Sequence, residues 1–282
     1  MVPSTPQFRT LLEQLLDSPA ISLHGFYCHA GTSYDSTSLD EATNWLTDEV
    51  TAVLDAATLA NELIKPNHSV VSTPLILSVG STPTAHAFSE RALTALHARL
   101  ESCGAKLELH AGNYPMLDLQ QLATSLIDPD AIAQRVIASV IAYYPGRGDG
   151  GSDEAMCDAG GIAMSKDKGP IPGFGDVIGI IQTAGPKPGT TQGGIRELGW
   201  RLGRMSQEHG ILTRKKSATT GQHIPIPEDE SLRLGDIVEI VGQHACMTAA
   251  AYPWYYIVDS SQERTPGEEQ RIVDIWVPYK GW

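Results

Sequence analysis

The stretch GDIVEIVGQHACMTAAAYPWYYIVD, from Gly235 to Asp259, is rich in apolar and β-branched residues, and the rest of the chain is arranged around it. It predicts β structure, and His244 and Cys246 lie two residues apart within it. Because side chains alternate between the two faces of a strand, we expect these two side chains to point the same way. Imidazole nitrogen and thiolate sulfur are both good zinc ligands, so the stretch predicts a candidate metal site.

The His-x-Cys pair supplies only half of a tetrahedral metal site. A closed structural site would need four protein ligands, and no CxxC or HxxxH motif lies near the pair. A metal held here would therefore keep positions for a water molecule or a substrate. The alternative interpretation is that His244 and Cys246 are ordinary strand residues, because this motif is weak by itself.

Length and composition predict an ordinary globular protein. With 282 residues, 41% of them apolar, the chain can bury one large core or two smaller ones. The formal net charge of −13 argues against nucleic acid or an anionic membrane as a partner. The four cysteines are unclustered, and neither a membrane span nor a signal peptide is predicted. We therefore expect a soluble, cytoplasmic protein.

Predicted strands alternate with predicted helices in the first half of the chain. Alternation of this kind predicts a parallel sheet, and both a doubly wound sheet and a (β/α)₈ barrel fit it. After Pro145 the chain changes to short strands with Gly- and Pro-rich turns, which predicts an all-β domain. We therefore predict an α/β domain over residues 1–145 and an antiparallel β domain over residues 146–282. The predicted strands of the first domain are residues 21–29, 73–79, 105–110 and 135–144.

Two loops of the first domain have the composition of a phosphate site. Gly80, Ser81 and Thr82 follow a predicted strand and open a predicted helix, where backbone N–H groups attract an anion. A second loop, Gly112, Asn113 and Tyr114, occupies the matching position after the next predicted strand. Tyr34 follows the predicted strand that precedes the Gly80–Thr82 loop. The alternative is that Ser81 or Thr82 caps a helix and that the glycines only permit turns.

Several motifs together resemble the eukaryotic D-serine dehydratase family, which is related to D-threonine aldolase within the alanine-racemase-like pyridoxal phosphate enzymes. The segments GFYCHAGTSY, SVGSTPT and ELHAGNYPMLDLQQ of the first domain carry the resemblance. In the second domain it is carried by CDAGGIAMSKDKG, MSQEHG and GQHACMTAAAYPWYYIVD. Each motif is weak alone, but the set covers nearly the whole chain.

The resemblance implies pyridoxal 5′-phosphate and Zn²⁺ as cofactors, a TIM-type (β/α) barrel followed by an antiparallel β domain, and a homodimer. His244 and Cys246 match the zinc ligands. The positions that match those around the cofactor are Tyr34, Gly80, Ser81, Thr82, Gly112, Asn113 and Tyr114. Cysteine as the second ligand favours a dehydratase, which converts D-serine or a related D-3-hydroxy amino acid, since the similar aldolases carry aspartate there.

One element of the family is missing from the motifs of this chain. The family's Schiff-base lysine lies on the first barrel strand, and none of the lysines in this sequence follows a strand in a matching context. We therefore expect only the second half of the barrel, and we expect the chain alone to lack normal dehydratase activity. The alternatives are an aldolase-like lyase and a non-catalytic, zinc-binding fragment that regulates an intact relative.

Overall fold

The computed structural model describes residues 1–65, 71–89, 98–182, 198–227, 231–259 and 271–279. The chain forms two compact units. Unit 1 comprises Met1–Tyr114 with Thr124–Leu126, and unit 2 comprises Pro115–Ala123 with Ile127–Trp282. The division falls after Tyr114, about 30 residues before the boundary predicted at residue 145, because the strand that precedes residue 145 belongs to unit 2.

Unit 1 contains a three-stranded parallel sheet in the order β1-β2-β3, as the alternating pattern predicted. Its strands are β1 (Leu23–Cys28), β2 (Val71–Val79) and β3 (Ala105–Leu109), and its helices are α1 (Pro6–Asp17), α2 (Leu39–Leu63) and α3 (Thr82–Ala87). Residues 98–102 are also helical.

Helix α2 is 25 residues long and covers one face of this sheet. It begins where the Ser38 hydroxyl accepts a hydrogen bond from the Glu41 N–H, and acidic residues in its first turn favour the positive helix end. Leu46, Val50 and Leu54 recur at helical spacing and pack with apolar strand residues such as Leu77. The opposite face of the sheet is therefore free to carry polar side chains.

Unit 2 is built on a closed antiparallel barrel with strand order β4-β5-β8-β7-β6-β9, which confirms the predicted antiparallel β domain. The strands are β4 (Val136–Tyr144), β5 (Glu154–Cys157), β6 (Gly175–Ile181), β7 (Trp200–Met205), β8 (Gly210–Arg214) and β9 (Ile237–Gly242). Its short helices are α4 (Leu119–Ala123), α5 (Gly161–Met164) and α6 (Ala245–Ala250), and β10 (Tyr255–Val258) pairs with β11 (Ile272–Trp276).

The prediction that residues 135–144 form a fourth parallel strand is wrong. β4 pairs antiparallel with β5 and β9 in the barrel of unit 2. Val136, Ala138 and Val140 point into the barrel core, whereas Ile137 and Ile141 face outward and are exposed. Apolar residues on both faces made the run look like a parallel strand buried on both sides. The described parallel sheet has three strands, and a partial TIM-type barrel is not confirmed.

No helix within the described ranges is both long and apolar enough to cross a membrane.

Candidate functional site

Three loops of unit 1, each following a parallel strand, come together at the carboxyl edge of the sheet. We call residues 29–34, 80–84 and 110–114 the cradle. Gly80 has a φ of +128°, and a Cβ atom there would lie 2.4 Å from the His110 carbonyl oxygen. The His110 N–H donates to the Val79 carbonyl at 2.7 Å. Only glycine allows this close approach of the second and third loops.

Ser81 and Thr82 occupy the buried start of α3. Ser81 and Thr84 form a reciprocal capping box, in which the Ser81 N–H donates to Thr84 Oγ1 at 2.8 Å. Thr82 Oγ1 accepts a hydrogen bond from the Asn113 N–H at 3.3 Å. The capping role that the sequence left open for Ser81 is therefore real, and the Thr82 hydroxyl connects the start of α3 to the loop that follows β3.

The loop after β1 joins the cradle through Ser33 and His29. The buried Ser33 and Ser81 hydroxyls are 2.6 Å apart, and His29 Nδ1 lies 3.0 Å from the Gly80 carbonyl oxygen. Tyr34 is half-buried, with its ring 6.2 Å from that of His29. The structure thus brings Tyr34 and the Gly80–Thr82 loop into one region.

The third predicted loop contributes residues of different exposure. Asn113 is buried. Gly112 is exposed, and a Cβ atom added there would have no neighbouring heavy atom within 4 Å. Tyr114 is half exposed and stacks on His86, with ring centroids 4.6 Å apart. Asn113 is therefore part of the packed cradle, and Gly112 and Tyr114 lie at its solvent side.

A polar row on the open face of the sheet was not predicted. Tyr27, Ser78 and Glu108 are register partners on β1, β2 and β3. Glu108 Oε1 accepts hydrogen bonds from Ser78 Oγ and His110 Nε2, both at 2.8 Å, and the His110 bond is the main cause that lowers the pKa of Glu108. Polar residues at alternate positions of otherwise apolar strands are the signal that could have revealed this row.

In unit 2, His244 and Cys246 do not lie on a strand. His244 is the N-cap residue of α6, and Cys246 lies in the first turn of that helix. The predicted strand alternation is therefore wrong here, because MTAAA, which follows the pair, favours a helical turn at the end of β9. The two side chains nevertheless approach each other.

The His244 side chain is oriented by two neighbours. His244 Nδ1 lies 2.7 Å from Asp167 Oδ2, and a hydrogen bond with Cys246 is the main cause that raises the pKa of His244 to about 9. The Asp167 hydrogen bond adds to the increase, whereas burial opposes it. A carboxylate on one ring nitrogen is the usual way in which proteins orient a metal-binding histidine. The sequence analysis did not identify Asp167.

A buried carboxylate fixes the backbone between the two candidate ligands. We call residues 243–246 the metal loop. Asp118 is 1% exposed, and its oxygens accept hydrogen bonds from the Ala245 N–H at 2.7 Å and from the Gln121 N–H at 2.9 Å. The Gln120 N–H donates to the Gln243 carbonyl at 3.2 Å. The metal loop is therefore held by the segment that opens α4.

The candidate metal site offers two protein ligands. Within the described residues, no group of three or more His, Cys, Asp or Glu side chains is arranged to hold a metal ion. The open metal site therefore stays a prediction from the sequence.

Three of the described lysines contact other side chains. Lys215 is buried and forms an ion pair with Asp176 at 2.8 Å, and Lys216 pairs with Asp149. Lys168 lies over the Phe174 ring. Lys187 and Lys280 lie outside the described residues.

Comparison with protein families supports the resemblance seen in the motifs. Residues 133–258 match the family described as "Putative serine dehydratase domain". The chain is 41% identical over 268 residues to D-serine dehydratase of Schizosaccharomyces pombe, covering 95% of this chain and 54% of that protein. It is 32% identical to D-serine dehydratase of Saccharomyces cerevisiae, covering 99% of this chain and 59% of that protein. The chain thus spans little more than half the length of these curated relatives.

A solved structure supports the same relationship at the level of the fold. The chain is similar to D-threo-3-hydroxyaspartate dehydratase from Delftia sp. HT23, with a TM-score of 0.65 and 27% identity over 98% of this chain and 61% of that chain. The same enzyme has been solved as a cysteine-to-alanine variant in a metal-free form, and that structure matches with a TM-score of 0.61, 28% identity, 92% of this chain and 56% of the other.

Proposed function

We propose that this chain supplies the cofactor cradle and the metal pair of a lyase, on the basis of its similarity to the D-serine dehydratases. The proposed lyase converts D-serine, or a related D-3-hydroxy amino acid, to a keto acid and ammonia. The observation that carries the proposal is the combination of motif and geometry in the cradle. Ser81 and Thr82, which the resemblance assigns to the cofactor, are buried in one hydrogen-bonded arrangement with Ser33 and Asn113.

The cradle fits the phosphate group of pyridoxal 5′-phosphate. The Gly80 position lacks a side chain where the loops approach most closely, and hydroxyl and N–H groups are concentrated beside it. Donor groups of this kind, at the ends of parallel strands, are the usual partners of a bound phosphate. We assign the phosphate to the Gly80–Thr82 loop and Asn113, with Tyr34 and Tyr114 at the ring.

The metal pair fits Zn²⁺ held by His244 and Cys246. Asp167 occupies one nitrogen of the His244 ring, which leaves the other for a metal, and Cys246 lies near enough to be the main cause that raises the pKa of His244. Two atoms that lie so close can bind a single ion. The remaining coordination positions are proposed to admit water or the substrate hydroxyl.

The cofactors would supply chemistry that no side chain provides, since bound pyridoxal phosphate accepts electrons from the substrate Cα and zinc stabilises a departing hydroxide as a Lewis acid. The chain's own residues hold these groups in place. Ser81, Thr82 and Asn113 would fix the phosphate, and Asp167 would keep the His244 proton on Nδ1. We propose a homodimer, as the resemblance implies, and a cytoplasmic location, as the composition predicts.

A binding and product assay tests the proposal. The purified chain is titrated with pyridoxal 5′-phosphate and with Zn²⁺, and is then incubated with D-serine, with L-serine as the matched control substrate. Binding of both cofactors supports the proposed cradle and metal pair. Pyruvate formed from D-serine but not from L-serine would support the lyase and overturn the expectation that the chain alone lacks dehydratase activity. Cleavage of D-threonine to glycine and an aldehyde would instead support the aldolase, whereas binding without either product is the result expected of this chain alone. Failure to bind either cofactor would contradict the proposal.

A further inference from the structure

Glu49 is a carboxyl group on α2 that lies against the cradle with 1% of its surface exposed. Its neighbours on the same face of the helix, such as Leu46 and Val53, form the apolar core. Glu49 Oε1 accepts a hydrogen bond from the Ala30 N–H at 2.7 Å. Burial of a carboxylate is costly, so its presence among core residues points to a specific role.

The second oxygen of this carboxyl group is buried in an unusual setting. Among the described residues, Glu49 Oε2 has no hydrogen-bond partner. Burial raises the pKa of Glu49, although the Ala30 N–H, the Thr84 hydroxyl and His29 favour the charged form. The Gly80 N–H acts in the same direction. Glu49 thus lies beside groups from the loops after β1 and β2, and one of its oxygens has no donor, in the described part of the chain, that would stabilise a negative charge on it.

The charge of Glu49 matters because the cradle is proposed to receive an anion. An ionised carboxylate buried next to a phosphate would repel it strongly, since water screens little at this depth. A neutral acid would still accept the Ala30 hydrogen bond through its carbonyl oxygen, although more weakly than a carboxylate does, and it would place no charge there. We propose that Glu49 is a positioning residue, which holds the Ala30 and Gly80 loops in place as a neutral carboxylic acid and thereby prepares the cradle for a phosphate group.

This inference rests on the proposed function, because it assumes a phosphate ligand. Beyond the proposed function, the inference identifies Glu49 as the residue that positions the cradle loops, and the neutral acid as the form in which Glu49 acts. Because the pKa of Glu49 is raised, its neutral form persists above the usual range of a glutamate, and the affinity for an anion falls as the pH rises through that raised pKa.

Two other titratable groups face Glu49, both from the β1 side. His29 favours the charged form of Glu49, and the Cys28 thiol has a pKa raised by its own burial and then by Glu49. From the β2–α3 side, the groups are the Gly80 N–H and the Thr84 hydroxyl, which do not titrate in this range. A substitution at Glu49 therefore removes one component of the pH dependence and leaves that of the ligand.

The test compares Glu49→Gln, Glu49→Ala and the wild-type chain, with pyridoxal 5′-phosphate and inorganic phosphate as probes from about pH 5 to pH 9. Glutamine imitates the neutral acid, so we expect Glu49→Gln to match wild type at low pH and to bind about tenfold more tightly at high pH. Glu49→Ala leaves the Ala30 N–H without its acceptor, so we expect about tenfold weaker binding at every pH. Asp48→Asn, exposed on the same helix, is the matched control and should leave binding unchanged.

Hydrogen exchange separates this inference from the proposed function. In Glu49→Ala, the Ala30 and Gly80 amides should exchange faster than in wild type, whereas Glu49→Gln should retain their protection. If wild type binds neither probe, phosphate binding fails but the exchange experiment still decides the positioning role. Weaker binding of Glu49→Gln at all pH values, or unchanged exchange of the loops in Glu49→Ala, would overturn the inference.

Discussion

The cradle of unit 1 and the metal loop of unit 2 differ in what fixes their functional atoms. The cradle is assembled from three loops, and its buried hydroxyls bond to one another, with Ser33, Ser81 and Thr84 in continuous contact. The metal loop is one short segment, and Asp118 and Asp167 hold it from outside. A site made of several loops depends on exact backbone approach, whereas a site on one segment depends on a few supporting side chains. The two regions should therefore respond to different substitutions.

Substitution of Gly80 should have the largest effect and should act on unit 1. Gly80→Ala would place a Cβ 2.4 Å from the His110 carbonyl oxygen at a φ that side chains rarely adopt. We expect the free energy of unfolding of unit 1 to fall by roughly 3–5 kcal/mol, with loss of pyridoxal phosphate binding. Calorimetry measures this change.

Gly31→Ala is the matched control for folding, because a Cβ at Gly31 meets no heavy atom within 4 Å. Zinc binding at the metal loop should survive Gly80→Ala. Equal loss of zinc binding in Gly80→Ala would show that the two regions do not respond separately.

Removal of Cys246 should have the next largest effect and should act on unit 2. Cys246→Ala deletes one of two candidate ligands, so we expect Zn²⁺ affinity to fall by at least about 100-fold. Cys246 is exposed, so the loss of stability should be small. Isothermal titration with Zn²⁺ and absorption of the Co²⁺ complex measure the change.

Cys103→Ala is the control, since Cys103 lies in unit 1, away from the pair in sequence. Unaltered Zn²⁺ affinity in Cys246→Ala would contradict the assignment of the thiol as a ligand.

Substitution of Asp118 should have an intermediate effect on the metal loop. Asp118→Asn retains one acceptor oxygen for two backbone N–H groups, those of Gln121 and Ala245. With the segment between the ligands less fixed, we expect Zn²⁺ affinity to fall about tenfold. A changed Co²⁺ spectrum would show that ligand geometry, and not only folding, has been altered.

Asp128→Asn provides an exposed aspartate in the same region for comparison. If Asp118→Asn has the Co²⁺ spectrum and the Zn²⁺ affinity of wild type, Asp118 does not position the candidate ligands of the metal loop.

Loss of one hydroxyl in the cradle should have the smallest effect. Ser33→Ala removes the partner 2.6 Å from Ser81 Oγ and should cost about 1 kcal/mol of unfolding free energy, because one buried hydrogen bond is lost. Pyridoxal phosphate should bind a few-fold more weakly, and Zn²⁺ affinity should stay the same. Thr32→Ser, at an exposed position of the same loop, is the control.

Local sequence patterns predicted much of the architecture. The alternation of predicted strands and helices in the first half of the chain agrees with the parallel sheet and the helices of unit 1. The Gly80–Thr82 loop lies at a strand end, as its composition predicted, since glycine and hydroxyl residues have strong local preferences. The composition of the second half predicted an antiparallel β domain.

The sequence patterns gave wrong predictions where one local pattern of residues is compatible with two different structures. The run Val136–Tyr144 is apolar at inward and outward positions alike, so its periodicity could not separate a barrel strand from a parallel one. His244 and Cys246 follow a true strand, β9, and only the turn into α6 changes their geometry.

The sequence by itself determined which segments carry the resemblance, because motifs such as SVGSTPT and GQHACMT are contiguous in the chain. The tertiary structure alone decided which residues support them. Glu49 reaches Ala30 across 19 positions, Asp167 reaches His244 across 77, and Asp118 reaches Ala245 across 127. Contacts between residues so far apart leave no periodic or local trace, since they arise only when packing brings separate segments together.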